Sequence, residues 1–208
     1  MIEASAGPRS AVRAAAQRQR ILCAAQKCFV DRGFHAASMA TIAQTADTSP
    51  GLIYRYFRGK SEIILAIIEQ QLEVARERIG ELHATSDLAG ALAGSYGKSA
   101  DCNSEHISPP LFLELSAQAT RDPQIAAASR ASDAAVRAAF VQVLTRSQAE
   151  GGYGLSKAEA AGRALMLMCL FEGLKVREAR EPQIDRRMLR AALEQVLAAI
   201  FQPPRQPS

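Results

Sequence analysis

The chain has 208 residues, 48% of them hydrophobic and only 5% aromatic, which is enough for a sizeable core in one or two domains. Its longest wholly apolar run, 164–171, falls well short of the ~20 residues that span a bilayer, and the N-terminus lacks the apolar run of a signal peptide, so a soluble, cytoplasmic protein without membrane partners is expected. Cys23, Cys28, Cys102 and Cys169 show neither CxxC nor Cys/His ligand spacing, so neither a zinc site nor a disulfide framework is indicated and no metal or cofactor is expected.

The formal net charge is +4, but it is unevenly placed. Residues 1–60 hold nine Lys and Arg against three Asp and Glu, an excess of six that leaves the remainder at −2. A basic headpiece on a mildly acidic body is the footprint of a nucleic-acid module carried by a sensor or dimerisation domain. No strand-rich tract occurs, and the apolar periods are helical, so the fold class is all-α.

In chain order, residues 1–12 read as a flexible tail. A first helix follows from Arg13 to Arg32, with Ile21, Leu22, Ala25, Cys28 and Phe29 on one face and Gly33 as its stop; Cys23 and Cys28 read as small core or edge residues. Ser38 can cap a second helix with Met39, Ile42, Ala43 and Ala46 at i, i+3, i+4 and i+7, and Asp47-Thr48 breaks it. Ser49-Pro50 then reads as an N-cap followed by proline at the first helical position. Along that third helix Leu52, Ile53 and Phe57 are core residues, whereas Tyr54, Arg55 and Tyr56 lie on or beside the opposite face. Gly51 lets that face approach another surface closely. Two short helices joined by a turn make a helix-turn-helix, whose second helix enters the major groove of DNA.

Thr41-Ile42-Ala43, Ser49 through Phe57 and Lys60-Ser61-Glu62 resemble the TetR/AcrR family of bacterial transcriptional regulators. The chain departs from the family's turn, having Asp47-Thr48 where glycine and an aliphatic residue are usual. The resemblance implies that Tyr54, Tyr56 and Lys60 bind phosphates and that Thr48, Ser49 and Gly51 lie near base edges. Ser38 and Pro50 complete the expected DNA-binding set, with Arg55 as the strongest direct contact to base or phosphate.

A long helix from about Lys60 to Gly80 joins the headpiece, residues 13–60, to the second domain, residues 61–201, and by resemblance transmits ligand state. A helix from Ser86 or Asp87 to Ser99 and a polar loop from Asp101 to Pro110 follow. Leu111 to Thr120 is an apolar helix, and Arg121-Asp122-Pro123 restarts the chain into another that runs to Gly151-Gly152. Ser156 with Glu159 makes a capping box for the next helix, whose centre, 164–171, is apolar nearly all round and so expected to be buried on more than one side. Asp185 to Ile200 gives the last helix, before a proline-rich tail at 202–208.

Two final helices with wide apolar faces suggest pairing between chains, and the resembled family pairs them as a four-helix interface. The expected homodimer interface is Leu167, Leu170, Leu174, Leu189, Leu193, Val196 and Ile200. A two-fold dimer predicts a palindromic operator in double-stranded DNA. By resemblance an effector pocket lies in the second domain. Phe112, Met166, Met168 and Phe171 are candidate walls, and Glu114 and Glu172 candidate carboxylates for a cationic or hydrogen-bonding effector. His35, His83 and His106 sit in unrelated segments and no HExxH or GxSxG occurs, so no enzyme is expected. The reading is a homodimeric, ligand-responsive DNA-binding regulator, a repressor released from its operator by a small molecule. The alternative is a helical ligand-binding or protein-interaction module without specific DNA binding.

Overall fold

A computed structural model describes residues 8–98 and 107–201. Among these residues the chain is all-α, with helices α1 (Pro8–Ala36), α2 (Met39–Thr45), α3 (Pro50–Tyr56), α4 (Lys60–Gly80), α5 (Leu88–Ser95), α6 (Pro109–Ala119), α7 (Pro123–Thr145), α8 (Lys157–Arg180) and α9 (Arg186–Phe201). α1 starts at Pro8, inside the stretch expected as a tail, and is interrupted at Gly33, whose φ of 75° and ψ of 159° are not helical. The expected tail at 202–208 and most of the expected loop at 101–110 lie outside the described residues. Pro109 and Pro110 do not close that loop. They occupy the first turn of α6 behind the N-cap Ser108, where a missing N–H costs nothing.

The described residues form two compact units, 8–69 with 107–126 and 70–98 with 127–201. In the first, α1 packs on α2 and α6, and α2 on α3. The apolar spacings dictate its core: Ile21, Leu22, Ala25 and Phe29 of α1 meet Ile42, Ile53, Phe57, Ile63, Ile67, Leu111 and Ile125, each at most 2% exposed. Cys28 is buried and free, as a packing residue should be, but Cys23 is disulfide-bonded, which corrects its reading as a simple packing residue.

In the second unit α9 packs on both α5 and α8. Its core joins Ile79, Ala93, Tyr96, Phe140, Leu144, Ala160, Ala164 and Leu167 to Leu189, Leu193, Leu197 and Ile200. The Ser156 and Glu159 capping box is present in both directions. The segment 164–171 is not buried all round, because Leu165 and Met166 are 49% and 58% exposed. Behind α5 the chain is fastened tightly: Gly97 N–H donates to the buried Glu178 carboxylate at 2.9 Å, Tyr96 O–H to the Glu181 carbonyl at 3.0 Å and Arg186 to the Tyr96 carbonyl at 3.1 Å. Glu178 is paired further with Lys175 at 3.2 Å, which keeps a carboxylate at 7% exposure compensated.

Gly97 has a φ of 69°, and a Cβ there would lie 2.2 Å from the Pro182 carbonyl oxygen. Gly97→Ala is therefore expected to destabilise the protein by about 2 kcal/mol or more in chemical denaturation. Gly94→Ala, in a helix with nothing within 4 Å of the added methyl, is expected to gain up to about 1 kcal/mol.

Candidate nucleic-acid interface

The first unit presents α2 and α3 through a chain of local constraints. Ser38 has an extended backbone, and its Oγ accepts the Thr41 N–H at 3.0 Å, so it caps α2 as the sequence suggests. α2 then closes with Ala46 N–H on the Ile42 carbonyl and Thr48 N–H on the Ala43 carbonyl at 3.0 Å. Between them Asp47 takes a φ of 50°, a left-handed turn that aspartate accepts more readily than most side chains. Ser49 Oγ accepts the Leu52 N–H at 3.2 Å, and Pro50 opens α3. Sequence reasoning missed Arg20, whose guanidinium donates to the Ala46 carbonyl at 3.0 Å and so satisfies an acceptor at the end of α2. It also missed Arg18, whose guanidinium carbon lies 5.3 Å from the centre of the Phe57 ring.

Seated on the buried Ile53 and Phe57, α3 turns its other side outward. Ser49, Pro50, Gly51, Tyr54 and Arg55 are exposed, Tyr54 at 55%. Thr48 is half-buried in the turn, and Tyr56 is half-buried with its ring against the headpiece core, so its role is in good part packing. At Gly51 no atom beyond its chain neighbours and its own helix backbone lies within 4 Å of where a Cβ would be, so nothing in the fold requires glycine there. The residue leaves an open, flat place on the outward side.

Lys60, expected as a phosphate contact, has partners inside the headpiece. Its Nζ donates to the carbonyls of Phe34 at 2.5 Å and His35 at 3.2 Å and lies 4.5 Å from the centre of the Phe34 ring. Burial holds its pKa below the usual lysine value. The ammonium is thus engaged at the α1 to α2 junction before any phosphate arrives. Glu114 also belongs to that junction: its carboxylate accepts the Phe34 N–H at 3.1 Å from α6, next to the break at Gly33. Nearby, Asp122 accepts the Ser61 hydroxyl at 3.3 Å and caps α7 through the N–H groups of Gln124 and Ile125.

The six residues expected to line one effector pocket are divided between the two units. Phe112 and Glu114 belong to the first unit and the other four to the second. Met166 faces outward, Met168 packs in the core at 8% exposure, and Phe171 stacks on Phe140 with ring centres 5.7 Å apart. Glu172 keeps a distinctive environment, since desolvation and the nearby Asp133 carboxylate both raise its pKa, while desolvation raises that of Asp133 against the opposing pull of Arg137. Of the expected dimer residues, Leu167, Leu189, Leu193 and Ile200 are buried within the second unit, at 1% to 7% exposure, and are closed to a partner; Leu170 and Leu174 are half-buried and Val196 is 43% exposed. The last helix's apolar stripe proved to be its core face.

Such a headpiece, with a short capped helix held out from a basic three-helix unit, defines a helix-turn-helix DNA-binding regulator. The chain matches the family model "Bacterial regulatory proteins, tetR family" over residues 21–67 and the model "BetI-type transcriptional repressor, C-terminal" over residues 110–202. It belongs to the TetR family of transcriptional regulators. It is 35% identical over 118 residues to the HTH-type transcriptional regulator UidR of Escherichia coli K12, covering 53% of this chain and 55% of UidR. To the HTH-type transcriptional activator FasR of Mycolicibacterium smegmatis it is 30% identical over 131 residues, covering 62% and 59%. The chain thus spans little more than half the length of these curated relatives. Its fold is similar to that of Salmonella enterica GusR, with a TM-score of 0.71 and 27% identity over 89% of this chain and 95% of that one.

Two outcomes test this geometry. Glu114→Ala removes the acceptor for the Phe34 N–H and is expected to cost about 1–3 kcal/mol in denaturant and to speed exchange of that amide, whereas Glu114→Gln, which still accepts, restores most of both. For Glu172 the folded pKa is raised, so its contribution to stability is fully present below the unfolded value and is lost as pH rises through the folded one. Glu172→Gln should therefore raise the Tm at pH 7 and make little difference near pH 3 in thermal scans.

Proposed function

We propose that the protein is a homodimeric repressor that binds a palindromic operator through α3 and leaves it when a small-molecule effector binds the second unit. The carrying observation is the outward side of α3, where Tyr54 and Arg55 flank an open glycine that the fold does not itself require. A glycine without an internal reason suits a surface that closes on something external. Arg55 can fork onto a guanine edge or a phosphate, Tyr54 can donate its hydroxyl to a phosphate, and Ser49 and Thr48 stand at the start of the same helix. Ser38 sits at the start of α2 as a second backbone contact, and Tyr56 and Lys60 act chiefly by holding the platform.

Dimerisation is supported by a face that keeps Val196 of the expected set and otherwise differs from it. On α8 the exposed residues Ala158, Ala161, Gly162, Leu165, Met166, Cys169 and Gly173 follow a three-and-four rhythm, and on α9 Met188, Ala191, Ala192, Gln195, Val196 and Ala199 do the same. Small residues alternating with Leu, Met and Val let helices approach closely and bury apolar surface. A second copy covering these stripes by two-fold symmetry would hold two α3 helices over half-sites one turn of DNA apart. The likeness to a BetI-type repressor module supports repression, while the likeness to FasR, described as an activator, supports the opposite sign as a second reading. α6 is a natural coupling element, because it lies in the matched C-terminal module by sequence yet packs with the headpiece. Work of this kind places the protein with the chromosome in the cytoplasm.

Gly51→Ala is expected to leave stability equal or up to about 1 kcal/mol higher while weakening a duplex selected from a random pool at least tenfold in gel shifts at fixed salt. Tyr54→Phe should weaken all duplexes alike and flatten the dependence of affinity on salt, whereas Arg55→Ala should also relax sequence preference. Met166→Glu with Val196→Glu is expected to give folded monomers by light scattering that lose specific binding. In a reporter carrying the selected operator, repression predicts higher expression on deleting the gene, and activation predicts lower.

A further inference from the structure

The second unit contains a cavity of about 440 Å³ that none of the expected pocket residues lines. It is bounded by Thr85, Gln148, Tyr153, Leu155, Glu159 and Phe201, with the glycines of the loop between α7 and α8. Gly151 and Gly154 take φ of 77° and 66°, and a Cβ on Gly152 would lie 2.3 Å from the Arg146 carbonyl oxygen. The rings of Tyr153 and Phe201 stack with centres 4.4 Å apart and form an aromatic wall, fixed by the Tyr153 hydroxyl donating to the His83 carbonyl at 3.3 Å.

Four of this loop's backbone donors are already spent. Gly151, Gly152, Gly154 and Leu155 donate their N–H groups to the carbonyls of Gln148, Ser147, Arg146 and Leu144 at 2.8 to 3.0 Å, which disfavours an anion. Glu159 is the one acidic residue lining the cavity. Its Oε2 accepts both the Ser156 hydroxyl at 2.6 Å and the Ser156 N–H at 3.1 Å, bonds that favour the ionised form. No Lys or Arg lines the cavity; Arg163, one turn further along α8, has its guanidinium on the Ile200 carbonyl at 3.0 Å and its charge also helps to hold Glu159 ionised. A held negative charge beside π faces, with most of the loop's backbone donors consumed, is the chemistry that recognises an organic cation.

We propose that this cavity is a binding site for a small organic cation with an aromatic or apolar body, the charged head against Glu159 and the body against Tyr153 and Phe201. The proposal is independent of the DNA-binding reading. Its test uses the full-length protein and a matched pair of probes, phenethylammonium and neutral 2-phenylethanol, followed by calorimetry and by amide shifts. Phenethylammonium should bind saturably, more tightly than about 1 mM, and shift the amides of Thr85 and residues 151–155, with 2-phenylethanol at least tenfold weaker. Glu159→Gln keeps the capping box, since glutamine serves at that position, and should weaken the cation at least tenfold while leaving the neutral probe unchanged. Phe201→Ala should weaken both probes. Absence of saturable binding, equal affinity for the two probes, shifts confined to other residues, or binding undiminished in a folded Glu159→Gln variant would each overturn the assignment.

Discussion

The fold of the DNA-facing unit depends on how three helices meet at one break in the chain. Gly33 leaves the helical region, and the freed backbone of the next two residues is met from two sides: the Phe34 N–H by Glu114 of α6 and the Phe34 and His35 carbonyls by Lys60 of α4. Backbone groups left unpaired in such a junction would cost about as much as lost hydrogen bonds, so the two charged side chains fix where α1 ends and α2 begins. α2 and α3 then follow by caps and core contacts. The direction of the outward side of α3 is thereby set by residues that need never touch DNA.

Much of this was legible in the sequence because it is local. Ser38, Ser49-Pro50 and the Ser156 and Glu159 pair announce helix starts through chemistry that acts over three residues, and each forms the bond its spacing predicts. The family resemblance likewise rests on short runs around α2 and α3, which the matched N-terminal model spans. What could not be read is which apolar stripe faces which neighbour. Leu189, Leu193 and Ile200 have the spacing of an interface and of a core alike, and only packing of α9 on α5 and α8 assigns them to the core. The exposed stripe of α8 and α9 is smaller and less hydrophobic, with alanines and glycines between Leu165, Met166 and Val196, so it draws little notice in a search for large apolar side chains.

Long-range polar pairing was equally hidden. Lys60 reads as a phosphate ligand because lysine at a helix start near DNA usually is one, and Glu114 reads as a pocket carboxylate because it interrupts an apolar run. Both are explained by a partner eighty or twenty-six residues away, the backbone at Phe34. Arg20 of α1, which reaches the carbonyl at the end of α2, is missed for the same reason. Spacing along a chain carries no information about such bonds, whereas it carries most of the information about caps.

The central claim is that two outward α3 helices, each posed by its own junction, read one duplex at a fixed separation. Hydroxyl-radical footprinting of the wild-type protein on a duplex selected from a random pool tests this most directly. The account predicts two symmetric protected half-sites centred about one helical turn, roughly 34 Å, or a multiple of it apart. A single unpaired patch of protection, or uniform protection without a preferred sequence, would contradict it.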